Sequence, residues 1–325
     1  MNILVAGGAG YIGSVTAKML LDAGHHIVVY DNLSRGHRDS VSKGIKFVHG
    51  ELSDISALRN TFRNCKTDAV FHFSAYALVG ESVDRPDLYY ENNLVTGKRI
   101  LDAMVGEGVN YMVFSSTCAV FGTPAKLPIE ENDRKNPESP YGETKLAFER
   151  LLKWYRQSFG ISFTVLRYFN AAGAAFGLGE DHRPETHLIP LVLRAANNQM
   201  DCITIFGDDY ETHDGTCIRD YIHIFDLAKA HLLAIENYQE GERYYNLGYG
   251  QGYSVREVIE AARRVTGRKI PEKIGPRRMG DPPELVASCE KIKKELGWNP
   301  SYKELDRIIE SAWRWHLAYP NGYQK

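Results

Sequence analysis

Cysteine is scarce in this chain: five in 325 residues, at Cys65, Cys118, Cys202, Cys217 and Cys289, odd in number and far apart. No C-x-x-C pair or Cys/His zinc spacing occurs among them, which excludes a disulfide framework and leaves no metal centre to expect. Small core thiols in a reducing compartment account for them. Long apolar runs are missing too, and the N-terminus enters a strand-like run with no charged leader or cleavage site. A soluble, cytoplasmic protein with no membrane partner is therefore expected. Charge of one sign is also lacking: 39 Lys and Arg against 41 Asp and Glu give a net charge of -2, so nothing draws the chain to nucleic acid. No tandem repeat or low-complexity tract is present.

What is present begins at once. Ile3-Leu4-Val5-Ala6 runs into Gly7-Gly8-Ala9-Gly10-Tyr11-Ile12-Gly13, and helical periodicity follows from Ser14 to Ala23. A strand, a glycine turn and a helix open a βαβ unit that holds a dinucleotide. Gly7 suits the tight turn, Gly10 lets the backbone approach a pyrophosphate, and Gly13 allows close helix–strand packing. Unpaired N–H groups at the helix start meet the phosphate charge. The second strand, His26 to Tyr30, ends in Asp31, a carboxylate placed for the adenosine ribose hydroxyls. Asp31 repels a 2′-phosphate and favours NAD over NADP, although Arg35 and Arg38 follow in the loop.

Strand-like runs recur at Ile45–Val48, Ala69–Phe73, Tyr111–Ser115 and Ser162–Leu166, between helical stretches at Ile55–Cys65, Leu88–Gly106 and Glu143–Phe159. This alternation predicts an α/β fold, a Rossmann-type doubly wound parallel sheet covered on both faces. After about residue 171, Gly- and Pro-rich loops interrupt shorter elements, as a smaller C-terminal α/β substrate lobe requires. The helices at Leu88 and Glu143 carry apolar residues on more than one face (Leu146, Phe148, Leu151, Leu152, Trp154, Tyr155), which predicts a partner surface.

Ser139-Pro140-Tyr141-Gly142-Glu143-Thr144-Lys145 carries the chemistry. Ser and Pro suit a helix cap and first position, so Tyr141 and Lys145 share a face one turn apart. Lowering a tyrosine pKa from about 10 to about 7 takes roughly 4 kcal/mol. An ammonium about 6 Å away supplies roughly 2.8 kcal/mol at an effective dielectric of about 20. The positive ring of an oxidised nicotinamide would add the rest. Thr117, ending Val113-Phe114-Ser115-Ser116-Thr117, offers a hydroxyl beside Tyr141.

With these motifs the chain resembles the extended short-chain dehydrogenase/reductase superfamily. It is most similar there to the UDP-glucose 4-epimerase family, through Gly80-Glu81-Ser82, Tyr89 to Asn93, Arg167-Tyr168-Phe169-Asn170, Gly179-Glu180-Asp181, Asp214-Gly215-Thr216, Arg219 to His223, Tyr245 to Gly248 and Pro276 to Asp281. The resemblance covers essentially the whole chain. It implies NAD bound by residues 1–170 with a return segment at about 221–249, and a nucleotide-sugar lobe over 171–325. Cofactor contacts would come from Gly7, Gly10, Tyr11, Ile12, Gly13, Asp31, Asn32, Leu33, Ser34, Gly36, Glu51, Leu52, Phe73, Ser74, Ala75, Ala77, Asn93, Ser115, Tyr141, Lys145, Tyr168 and Phe169. Thr117, Tyr141 and Lys145 would be catalytic. The UDP-sugar would meet Thr117, Tyr141, Asn170, His187, Leu188, Thr204, Ile205, Phe206, Arg219, Arg278, Asp281 and Leu285, the two arginines facing the diphosphate.

The implied reaction is epimerisation at C4 of a UDP-hexose, glucose to galactose and back, through a transient 4-keto sugar that turns over before the hydride returns. A homodimer is implied as well. Departures from the family pattern are Glu51 after Gly50, Ala77 in place of a lysine, and His187 in place of an asparagine. Leu285 stands where a bulky or small residue limits room at the sugar C2, leaving N-acetylated UDP-sugars open. Dehydration is disfavoured because Cys118-Ala119, not Asp-Glu, follows Thr117. UDP-pentose or UDP-uronate epimerisation and UDP-glucuronate decarboxylation stay open, and a non-catalytic NAD-sensing module has no need of Thr117, Tyr141 and Lys145 together.

Overall fold

The computed structural model describes residues 1–278 and 280–324; Met279, within the Pro276 to Asp281 motif, lies outside the described residues. In chain order the strands are β1 (Asn2–Ala6), β2 (His26–Asp31), β3 (Lys46–His49), β4 (Ala69–His72), β5 (Tyr111–Thr117), β6 (Ser162–Tyr168), β7 (Asn170–Ala172), β8 (Ile203–Phe206), β9 (Ile218–His223), β10 (Glu242–Leu247), β11 (Gly252–Ser254), β12 (Glu272–Gly275) and β13 (Glu284–Leu285). The helices are α1 (Tyr11–Asp22), α2 (Ile55–Cys65), α3 (Val79–Asp84), α4 (Pro86–Tyr89), α5 (Gly97–Glu107), α6 (Pro140–Phe159), α7 (Leu188–Ala196), α8 (Ile224–Glu236), α9 (Val255–Thr266), α10 (Glu290–Leu296) and α11 (Leu305–Ala318).

Among the described residues the main sheet has seven parallel strands in the order β10-β6-β5-β4-β1-β2-β3. Strand geometry sends alternate side chains to opposite faces. Ile3 and Val5 accordingly join one core with Val15 of α1 and Leu227 of α8, whereas Leu4 and Ala6 join another with Leu58 of α2, Leu101 of α5 and Leu152 of α6. Truncating one such Leu to Ala costs about 2–5 kcal/mol. Both faces of the sheet are thus covered, as the Rossmann-type pattern requires. The strand order reverses between β1 and β4, and ligands sit at such a switch point, beyond the carboxyl ends of the strands.

Beyond β6 the chain builds a second group: β11-β9-β13 with β7 on β9, the parallel pair β8-β12, and a core shared by α7, α9 and α11. Helix α9 opens with a capping box, Ser254 Oγ accepting from Glu257 N at 3.0 Å and Glu257 Oε2 accepting from Ser254 N at 2.7 Å. The chain also returns to the main sheet here, since β10 pairs with β6 and α8 lies against α1.

Element bounds differ from expectation where end chemistry decides. Helix α6 starts at Pro140, three residues before Glu143, because Ser139 caps it by accepting from Gly142 N at 3.2 Å. Strand β5 extends past Ser115 to Thr117 through parallel pairing with Tyr168. The helix expected over Leu88–Gly106 is a rod from Pro86 to Glu107 whose middle, Tyr90–Thr96, widens into π-helical turns. Such widening often accompanies a functional position, and Asn93 lies in it.

Candidate active site

The glycine turn follows β1 directly. Gly7 has φ +78°, and a Cβ there would fall 2.5 Å from Ser74 N; a Cβ on Gly13 would fall 2.3 Å from Gly7 O. Both glycines are demanded by the protein itself. Gly10 is not, because a Cβ there would meet nothing closer than Gly7 O at 3.4 Å. Space kept open at Gly10, before a helix that no side chain caps, fits a ligand diphosphate.

Asp31 ends β2 with its carboxylate accepting from Ala9 N at 3.0 Å and Leu33 N at 2.8 Å. Burial raises its pKa while these amides pull it down. Arg35 is engaged with Glu81 at 2.7 Å and lies over the Tyr76 ring, and Arg38 lies over Phe47, so neither is free for a 2′-phosphate. Asn32 donates to the Glu51 carboxylate at 3.0 Å and accepts from Ser34 N, which ties the loop of Leu33, Ser34 and Gly36 to the end of β3 beside the buried Leu52. These residues fit NAD.

Four expected cofactor contacts have other work. The Tyr11 hydroxyl donates to Gly173 O at 2.7 Å, which leaves its backbone N–H for a ligand. Asn93 accepts from Tyr76 N at 2.8 Å and donates to Tyr76 O and Thr144 Oγ1, so its amide holds the loop of Phe73, Ser74, Ala75 and Ala77. Tyr168 meets His231 Nε2 at 2.5 Å behind the site, and Phe169 is buried beside Leu285.

Tyr141 and Lys145 occupy the first turns of α6, against the end of β5. Lys145 Nζ donates to Ser115 O at 2.7 Å. Burial lowers its pKa to about 7, against the pull of Glu149, and burial raises Tyr141 to about 12 against a hydrogen bond with Thr117. Burial thus dominates the phenol, and further positive charge is needed to acidify it. Tyr141 also meets the Tyr89 ring edge-on, centroids 6.4 Å apart.

One further residue matters that the sequence did not single out, and it gives a role to Arg167 of the Arg167-Tyr168-Phe169-Asn170 motif. Glu149, one turn past Lys145, forms a buried ion pair with Arg167 at 2.7 Å and accepts from Ser116 Oγ at 2.6 Å. Its signal was the i, i+4 spacing from Lys145 and an arginine inside an apolar strand.

On the substrate side, Leu285 lies opposite Arg219 in the β13–β9 register and packs with Cys118 and Phe169. Arg219 pairs with Asp281 and donates to Pro282 O at 2.7 Å. Arg278 is exposed over the Phe206 ring at 4.2 Å. Along β8 the two-residue alternation buries Ile205 in the second core, so only its backbone can line a site, while Thr204 and Phe206 are less buried. Asn170 opens β7, and Leu188 opens α7. The His187 imidazole is turned toward Glu180 and Glu185, at 3.0 and 2.9 Å from Nδ1, instead of standing free for a phosphate.

Fold and site define a member of a dinucleotide-using class, and the profile described as the NAD dependent epimerase/dehydratase family matches residues 3–248. The chain is 50% identical over 327 residues to the UDP-glucose 4-epimerase of Halalkalibacterium halodurans, covering 99% of this chain and 98% of that protein. A crystal structure of a UDP-glucose 4-epimerase superimposes with TM-score 0.96 at 49% identity, covering 99% of each chain. The Bifidobacterium longum enzyme in complex with NAD+ and UDP gives TM-score 0.95 at 37% identity, covering 99% of this chain and 100% of that one. The chain belongs to the NAD dependent epimerase/dehydratase family, among the UDP-glucose 4-epimerases. Among the described residues, no helix is long and apolar enough to cross a membrane.

Proposed function

We propose that the chain interconverts UDP-glucose and UDP-galactose by epimerisation at C4, with NAD as its resident cofactor. The observation that carries this is the meeting of Tyr141, Lys145 and Thr117 at the carboxyl end of β5, in a chain similar over its whole length to UDP-glucose 4-epimerases. NAD, when bound, supplies a reversible hydride acceptor and a positive charge beside the phenol. Tyr141 Oη takes the proton of the sugar 4-hydroxyl and later returns it. Thr117 Oγ1 orients that hydroxyl, and Lys145 adds positive charge while holding α6 on β5. Arg219 and Arg278 face the diphosphate, with Asp281, Asn170, Leu188, Thr204 and Phe206 around the nucleotide and Leu285 beside the sugar. The NAD half is residues 1–170 with the return at 221–249.

Dehydration is disfavoured, because burial pushes the Cys118 thiol up to about 11 and Ala119 has no acid. A second copy of the chain covers the outer faces of α6 and of the rod from Pro86 to Glu107, where Trp154 is 63% and Val95 45% exposed. The setting is cytoplasmic nucleotide-sugar and galactose metabolism. N-acetylated UDP-sugars are admitted to the extent that Leu285 leaves room at C2. Incubation of purified protein with each UDP-sugar without added cofactor, followed by product separation, tests this. Interconversion without stoichiometric NADH is expected; accumulation of NADH, water loss or CO2 release overturns it.

A further inference from the structure

A second chemical cluster lies away from the phenol, between the loop after Gly173 and the start of α7. Glu180 Oε1 is 3.0 Å from His187 Nδ1 and 3.3 Å from His182 Nε2. The ligand atoms of these three residues all fall within 4.8 Å of one another. The two imidazole rings are 5.0 Å apart. Glu185 closes the group: Oε1 is 2.9 Å from His187 Nδ1 and accepts from the Thr186 and His187 amides. Its side chain is fully buried, and Oε2 has no hydrogen-bond partner.

A buried carboxylate oxygen without a partner is costly. His187 Nδ1 faces an oxygen of each carboxylate, and its single N–H cannot serve both fully, whereas a dication can take a ligand atom from each residue of the group. We propose that Glu180, His182 and His187, with Glu185 as the fourth ligand, bind one divalent cation of the zinc class. Imidazole nitrogen with carboxylate oxygen suits zinc and its neighbours, not the oxygen-seeking Mg2+ or Ca2+ and not thiolate-seeking Cu(I). Tetrahedral ligands about 2.0–2.1 Å from zinc stand about 3.3–3.4 Å apart, so the 3.0 and 3.3 Å separations about Glu180 Oε1 need only a slight opening.

The surroundings give the ion its role. The Tyr11 ring meets His182 edge-on, centroids 6.4 Å apart, and Tyr11 is the first residue of α1. Asp181 accepts from Tyr323 N at 3.0 Å and from Arg183 at 2.9 Å, and its carbonyl is 2.9 Å from His37 Nε2. His187 directly precedes α7. The cation is therefore a structural clasp between the start of α1 and the start of α7. Cysteine spacing gave no hint of it because no thiol takes part.

The test uses the full-length protein, with metal measured as purified, then stripped by chelator and titrated with Zn2+ against a chromophoric competitor. One equivalent bound more tightly than about 10 µM, a Tm rise of about 5 °C with the ion, and at least a tenfold loss of affinity in His182→Ala are expected. His182 is partly exposed, so that variant should keep the far-UV dichroism and metal-free Tm of the parent; Glu180→Gln provides a second, isosteric check with the same expected loss. Weaker binding by the parent, or equal affinity in both variants, overturns the site.

Discussion

Lys145 donates a hydrogen bond to the carbonyl of Ser115 at 2.7 Å, joining the first turns of α6 to the last residues of β5. That contact anchors the helix that carries both Lys145 and Tyr141. Loss of Lys145 therefore removes positive charge and misplaces the base together. Lys145→Met should lower kcat by about 10²–10⁴ in protein whose NAD content is shown to match the parent. Lys145→Arg should not restore it, because a planar fork does not replace a compact ammonium in a buried pocket. Steady-state turnover of UDP-galactose checks both.

Gly10 and Gly13 separate ligand demand from packing demand. A Cβ on Gly13 falls 2.3 Å from Gly7 O, while one on Gly10 approaches no closer than 3.4 Å. Gly13→Ala should destabilise the fold by about 1–3 kcal/mol. Gly10→Ala should leave urea unfolding of cofactor-free protein within about 0.5 kcal/mol and weaken NAD binding at least about tenfold. Equal NAD affinity would place the diphosphate elsewhere.

Glu149 and Arg167 form their ion pair with each side chain only 3% exposed. Removing one partner strands a buried charge, so Glu149→Gln should cost about 3–5 kcal/mol, read from denaturant unfolding. The double change Glu149→Leu with Arg167→Met should recover most of that loss, because well-packed apolar groups replace the pair. Activity should not return with it, since Glu149 also supports the charge on Lys145.

Buried neutral histidines set the acid limit of stability. Burial, aided by the charge of Lys145, holds His72 down to about 3, and burial holds His223 and His231 to about 4, all from an ordinary 6.5. Their folded pKa values are depressed, so an unfolded chain binds protons that the fold refuses. Stability is full above pH 6.5 and lost as pH falls toward 4, at up to about 1.4 kcal/mol per group per pH unit. Asp220, raised to about 6 by burial, works the other way over the same range and offsets about one of the three. Urea midpoints should fall steadily from pH 6.5 to 4.5; a flat profile would contradict the neutral imidazoles.

The sheet was legible because its inner parallel strands are buried on both faces and read as apolar runs, and because Gly7, Gly13 and Asp31 answer local backbone demands. Tyr141, Lys145 and Thr117 were legible because one helix turn and one strand end set their spacing. What escaped depends on side-chain orientation. Ile205 turns into a core, Tyr11 reaches across to Gly173, and Asn93 spends its amide on Tyr76. None of these follows from spacing. His187 likewise carries no mark in the sequence of its turn toward Glu180 and Glu185, because that depends on how a loop folds back on itself.

The phenol of Tyr141 is the centre of the account, held high by burial until the bound cofactor's charge joins that of Lys145. Turnover of UDP-galactose by Tyr141→Phe, measured beside the parent at matched NAD content, tests it most directly. A fall in kcat of at least about 100-fold with the fold and cofactor intact is predicted. Turnover equal to that of the parent would contradict it.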